Sequence, residues 1–125
     1  MQDLEIYIRD LEPGQLSNWL EVHLDNLTLV EPEAAGRAMK GEGQYRGQPV
    51  VITVYQGAFG KRYASLTLEG DELPWSSDLE CARSAWRSLE TEIRCSPGDW
   101  QEGEPVEEEK WWRLDERGEH LVIWN

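Results

Sequence analysis

Apolar and polar residues alternate over Leu4-Glu5-Ile6-Tyr7-Ile8, which places Leu4, Ile6 and Ile8 on one face of a strand and Glu5 and Tyr7 on the other. The period then lengthens. Past Glu12-Pro13-Gly14, the residues Leu16, Trp19, Leu20, His23, Leu24 and Leu27 recur on a helical stripe, with Glu21 and Asp25 off it. Pro13 suits the first turn of a helix, so a helix is predicted from Pro13 to about Asn26. Leu27 to Val30 reads as a short extended exit. It closes at Glu31-Pro32-Glu33, because a residue before proline is driven out of the helical region.

The stretch from Arg37 to Glu69 reads as a three-stranded antiparallel meander around which the remaining segments are arranged. Its first strand, Gly36 to Tyr45, contains Gly41 and Gly43 and suits an edge, a bulge or a close approach of another backbone. Arg46-Gly47-Gln48 supplies a turn. Val50, Ile52 and Val54 then oppose Val51, Thr53 and Tyr55 across a central strand. After a loop from Gln56 to Gly60, the strand from Arg62 to Leu68 turns Ala64, Leu66 and Leu68 inward. It leaves Tyr63, Ser65 and Thr67 on an open face.

A loop from Gly70 to Trp75 precedes Ser77-Asp78-Leu79-Glu80, which has the spacing of a capping box. Leu79, Ala82, Trp86, Leu89 and Ile93 form the stripe of a second helix, and Ile93-Arg94-Cys95 runs on into a short strand. A loop follows, and Lys110 to Leu114 and His120 to Trp124 close as a hairpin with Gly118 in its turn. The predicted order is β-α-βββ-α-ββ. This is an α+β fold in one domain, with two helices packed on one face of a mainly antiparallel sheet.

An apolar share of 39% is low for such a domain, but seven tryptophans offset it through the area each one buries. Trp19 and Trp86 fall on helix stripes. Trp111 and Trp112 are neighbours on a strand and face opposite ways, while Trp75 and Trp100 sit in loops. The first ten residues are charged and lack the apolar core of a signal peptide, and no run approaches the roughly 18 apolar residues of a membrane span. A cytoplasmic protein is expected.

The net charge is −13, which argues against nucleic acid and anionic membrane as partners. It is uneven. Residues 34–63 hold five bases and one acid, a net +4 that leaves −17 on the remainder. Cys81 and Cys95 lack CxxC or Cys/His clustering and read as buried thiols. No zinc site, phosphate loop, calcium loop or cofactor is expected. His23 reads as a core histidine bonded to a carbonyl, and His120 as a surface residue. The alternative is a base paired with a cysteine, with Cys81 near a helix N-terminus where a thiol pKa is lowered.

Two functions fit these features. The first is a non-catalytic interaction module that binds a basic macromolecule, through Trp100, Glu102, Glu104, Glu107, Glu108, Glu109 and Trp111. The second is a domain that binds or transforms a small anion on the open sheet face, through Arg37, Tyr45, Tyr55, Arg62 and Tyr63. Self-association through an unpaired Gly-rich edge strand is a further possibility.

Overall fold

The computed structural model describes residues 2–30, 39–56, 62–95 and 110–123. Strand β1 (Gln2–Arg9) is followed by helix α1 (Pro13–His23) and strand β2 (Asp25–Val30). The meander of β3 (Met39–Tyr45), β4 (Gln48–Tyr55) and β5 (Tyr63–Gly70) comes next. Helix α2 (Asp78–Leu89) then leads to β6 (Ile93–Cys95), β7 (Lys110–Asp115) and β8 (Gly118–Ile123). The eight described strands form one antiparallel sheet in the order β2-β3-β4-β5-β1-β6-β7-β8. The α+β architecture is the one read from the sequence, and both short extended stretches, 25–30 and 93–95, are members of the sheet.

The N-terminal strand is not at an edge. It lies between β5 and β6 and joins the meander to the C-terminal strands. Leu4, Ile6 and Ile8 are buried and oppose Leu68, Leu66 and Ala64 of β5. Val54 and Ile52 of β4 continue those apolar rows on one side, and Ile93 and Leu114 continue them on the other. Fully burying one such aliphatic side chain contributes about 1.5–3 kcal/mol. Helix α2 packs on β1, β6 and β7 and against α1, burying Cys81, Ala82, Ala85 and Leu89. Leu16, Trp19 and Leu20 of α1 complete the core.

Local signals set the element ends. The Ser77 hydroxyl accepts the Glu80 amide at 3.2 Å, as the capping spacing predicts. The carboxylate of Glu80 does not close the box on Ser77. It accepts instead from the Ser76 amide at 3.1 Å and the Ser76 hydroxyl at 2.6 Å, one residue further out. Helix α1 stops at His23 rather than at Asn26, because Leu24 is already extended and β2 has begun at Asp25. Asn26, at φ 51°, lies within β2 where its register with β3 shifts. Between β3 and β4 the chain reverses through Arg46 and Gly47, both left-handed at φ 52° and 80°, a two-residue turn whose twist matches the strands.

The Gly-rich strand β3 is not the unpaired edge envisaged for self-association. It pairs with β2 and with β4, so among the described residues the outer strands of the sheet are β2 and β8. The glycine serves close approach. Leu29 stands directly across from Gly41, where a Cβ would lie 2.4 Å from Leu29 Cδ2 and 2.6 Å from the Thr28 carbonyl oxygen. At Gly43 the nearest atoms are at 3.4 Å, an ordinary contact. Gly41→Ala is therefore expected to destabilise the protein by about 1–3 kcal/mol through overpacking, while Gly43→Ala is tolerated. Urea denaturation of the two variants checks this, and equal midpoints would contradict it.

Candidate functional site

The helices cover one face of the sheet, and the strand register places the remaining side chains on the other. That outer face divides into two ends of different character. Near the C-terminal end of β1 its charges are internally matched. Asp10 pairs with Arg62 at 3.2 Å and with Arg9 at 3.8 Å, Glu92 pairs with Arg94 at 3.2 Å, and Asp115 pairs with Arg113 at 3.2 Å. The Tyr63 hydroxyl donates to Glu92, and the Arg94 guanidinium lies 5.2 Å from the centre of the Tyr63 ring.

The other end is acidic and contains a cleft. Only Tyr7 and Ile8 of β1 pair with β6, so the earlier part of β1 has no strand neighbour on that side among the described residues. The Glu5 amide faces this gap and donates to Asp78 Oδ1 at 3.1 Å, so the first residue of α2 stands in for the missing carbonyl. Asp3, Glu5, Tyr7, Asp78 and Trp111 line the resulting cleft, whose volume is about 250 Å³. Tyr7 and Trp111 meet edge to face, with centroids 5.5 Å apart and planes at 83°. The Tyr7 hydroxyl donates to the Glu5 carboxylate.

Three carboxylates in this space repel one another. Burial pushes the Asp78 carboxyl above its usual range, and the charges of Glu5 and Asp3 add to that push against the opposing effect of the Glu5 amide. Burial, with the Glu5 carboxylate beside it, moves the Tyr7 phenol up to about 12. Among the described residues no three His, Cys, Asp or Glu side chains converge as metal ligands. The arrangement suits an organic cation, with carboxylates for its charge and two aromatic rings for its carbon framework.

Of the residues proposed from sequence, Trp111 lines this cleft. Trp100, Glu102, Glu104, Glu107, Glu108, Glu109 and Arg37 lie outside the described residues. The tyrosines of the anion-binding alternative separate. Tyr55 and Tyr63 are on the outer face, but Tyr45 is on the opposite face, packed against the core. Arg62 is engaged by Asp10, and Arg46 is at the far end of β4 from it, roughly 24 Å away at strand rise. The basic residues of the meander that are described thus do not gather into one site. Sequence reasoning missed Asp3, Glu5, Tyr7 and Asp78. The alternation at 4–8 already put Glu5 and Tyr7 on an outward face, whereas nothing local marked Asp78 as more than part of a cap.

The nucleophile readings are overturned. Cys81 and Cys95 are both buried and free, and burial raises both thiols, Cys95 to about 12, so no helix-dipole activation of Cys81 survives. His120 is on the outer face, opposite Arg113, and its Nε2 is 3.2 Å from the Arg117 carbonyl oxygen. His23 is half-buried, and its partner is a hydroxyl rather than a carbonyl. Ser84 Oγ lies 3.3 Å from its Nε2 and accepts the Trp19 Nε1–H at 3.0 Å. Trp75, a loop residue, is buried in the same cluster, stacked on Trp19 at 5.1 Å and edge-on to His23 at 4.9 Å. These side chains tie α1 to α2. Comparison of the chain with known protein families, with curated proteins and with solved structures gave no match in any of the three.

Three outcomes follow from these environments. Both thiols are expected to stay unreactive toward a disulfide reagent in the native protein and to react fully in guanidinium; fast labelling of either one in buffer would contradict their burial. Burial lowers the pKa of His23 in the folded state, so the unfolded chain binds its proton more tightly. Its contribution to stability is complete above the unfolded value near 6.5 and is lost as pH falls through the lower folded value. Urea midpoints measured from pH 7 downward are expected to show this fall. Ser84→Ala, which strips Trp19 of its acceptor, is expected to cost about 1–2 kcal/mol at pH 7.

Proposed function

We propose that this chain is a non-catalytic interaction module, acting in the cytoplasm, that binds a basic macromolecular partner. The observation that carries the reading is the cleft, in which Asp3, Glu5 and Asp78 surround a space walled by Tyr7 and Trp111. A lysine or arginine side chain entering it would lay its aliphatic stem along the rings and its charge among the carboxylates. Its arrival would offset the charges of Glu5 and Asp3, which add to the effect of burial in raising the Asp78 pKa. The net charge of −13 draws basic partners from a distance and makes association sensitive to salt. The protonated buried thiols favour a binding role over cysteine nucleophile chemistry. The placement of Tyr45 on the opposite face from Tyr55 and Tyr63, and the pairing of Arg62 with Asp10, weigh against the anion-binding alternative.

Tryptophan fluorescence of the protein titrated with N-acetyl-arginine amide tests the reading. Saturable binding is expected at low salt, weakened by added salt and by lowering the pH through the carboxylate range, and lost in Asp78→Asn. Binding of equal strength in that variant, or no saturation, would contradict the assignment.

A further inference from the structure

We infer that the acidic end of the open sheet face, running from β3 to the cleft, is a track that docks an extended arginine- or lysine-bearing segment of a partner polypeptide. The inference rests on the reading of the cleft above and extends it across the sheet. The register supplies the track. Glu42 of β3 is opposite Val51 of β4, Val51 is opposite Glu69 of β5, and Glu69 is opposite Asp3 of β1. All four project on the face that neither described helix covers, and Glu5, two residues along β1, continues the row into the cleft.

Three observations on this row point to an external partner. Asp3 and Glu69 are like charges placed directly opposite, an arrangement that opposes folding. Among the described residues none of Asp3, Glu42 and Glu69 is in an ion pair, whereas the carboxylates at the other end of the same face are paired with arginines. Val51, between Glu42 and Glu69, is 47% exposed, a large apolar side chain left open to solvent inside an acidic row. The aliphatic stems of lysine and arginine match such a surface, and their charged ends match its carboxylates.

Spacing favours an extended chain crossing the strands. Neighbouring strands lie about 4.8 Å apart, so the row from Glu42 to Asp3 spans roughly 14 Å. An extended peptide turns successive side chains of one side toward the sheet every ~7 Å, so a segment of five or six residues presents two or three cations along the row. A second copy of this chain is a poor occupant, because it brings the same net charge of −13. Lys40, one row away beside Thr53, is the described cation nearest by register.

Calorimetric titration with an octa-arginine peptide at low salt tests the track. The double variant Glu42→Gln/Glu69→Gln is expected to bind at least tenfold more weakly than the parent. Its melting temperature should be no lower, since a like-charge pair is removed. The double variant Glu21→Gln/Glu116→Gln changes the net charge equally, away from this face, and is expected to lose no more than twofold. Equal losses in both variants would overturn the inference by showing diffuse attraction to net charge. Unchanged affinity in Glu42→Gln/Glu69→Gln, with N-acetyl-arginine amide still saturating the cleft, would overturn the track and leave the cleft reading standing. Failure of both probes to bind would overturn both.

Discussion

The burial of Leu4, Ile6 and Ile8 between β5 and β6 is the constraint on which the other parts of this molecule depend. A strand made at the start of the chain occupies the middle of the sheet. The meander built from residues 39–70 therefore attaches along one of its edges, and the strands that follow α2 attach along the other. Helix α2 is held over the same strand, and α1 is held by α2 through the Trp19, His23, Ser84 and Trp75 cluster. Contacts of this kind join residues far apart in sequence, which predicts slow folding for a domain of this size.

The central placement of β1 also builds the face proposed to bind a partner. Because its inner residues belong to the core, its outer residues Asp3, Glu5 and Tyr7 are fixed in position on a rigid strand. Asp78 accepts the Glu5 amide in place of a strand carbonyl and brings a third carboxylate to the same space. Two carboxylates come from the strand and one from the helix that covers it, so the site cannot form unless the core has. Its acidic row then retains a like-charge opposition that the fold alone would not require, while the other end of the face uses its acids in ion pairs.

Much of this architecture is legible in the sequence. The alternation at 4–8 and 50–55, the helical stripes, and the Ser77 to Glu80 spacing each encode their element within a few residues, because period and capping are local properties. The position of β1 between β5 and β6 is not legible, since strand order is decided by which apolar faces meet and leaves no local trace. The role of Gly41 shows the same limit. Its sequence context allows an edge, a bulge or a close approach, and only the placement of Leu29 over it decides among them. Of the site, Trp111 is anticipated as a side chain turned away from its neighbour Trp112. Asp78 is hidden behind its capping motif, because its second partner, the Glu5 amide, is 73 residues away.

Native-state hydrogen exchange tests the dependence on β1 most directly. The amides of Ile6 and Ile8, which face β5, and of Tyr7, which faces β6, should exchange only through global unfolding, at the same free energy as the slowest amides of β4. Exchange of the β1 amides at a clearly lower free energy than those of β4 would show that the meander stands without its neighbour, and would contradict the central role of the first strand.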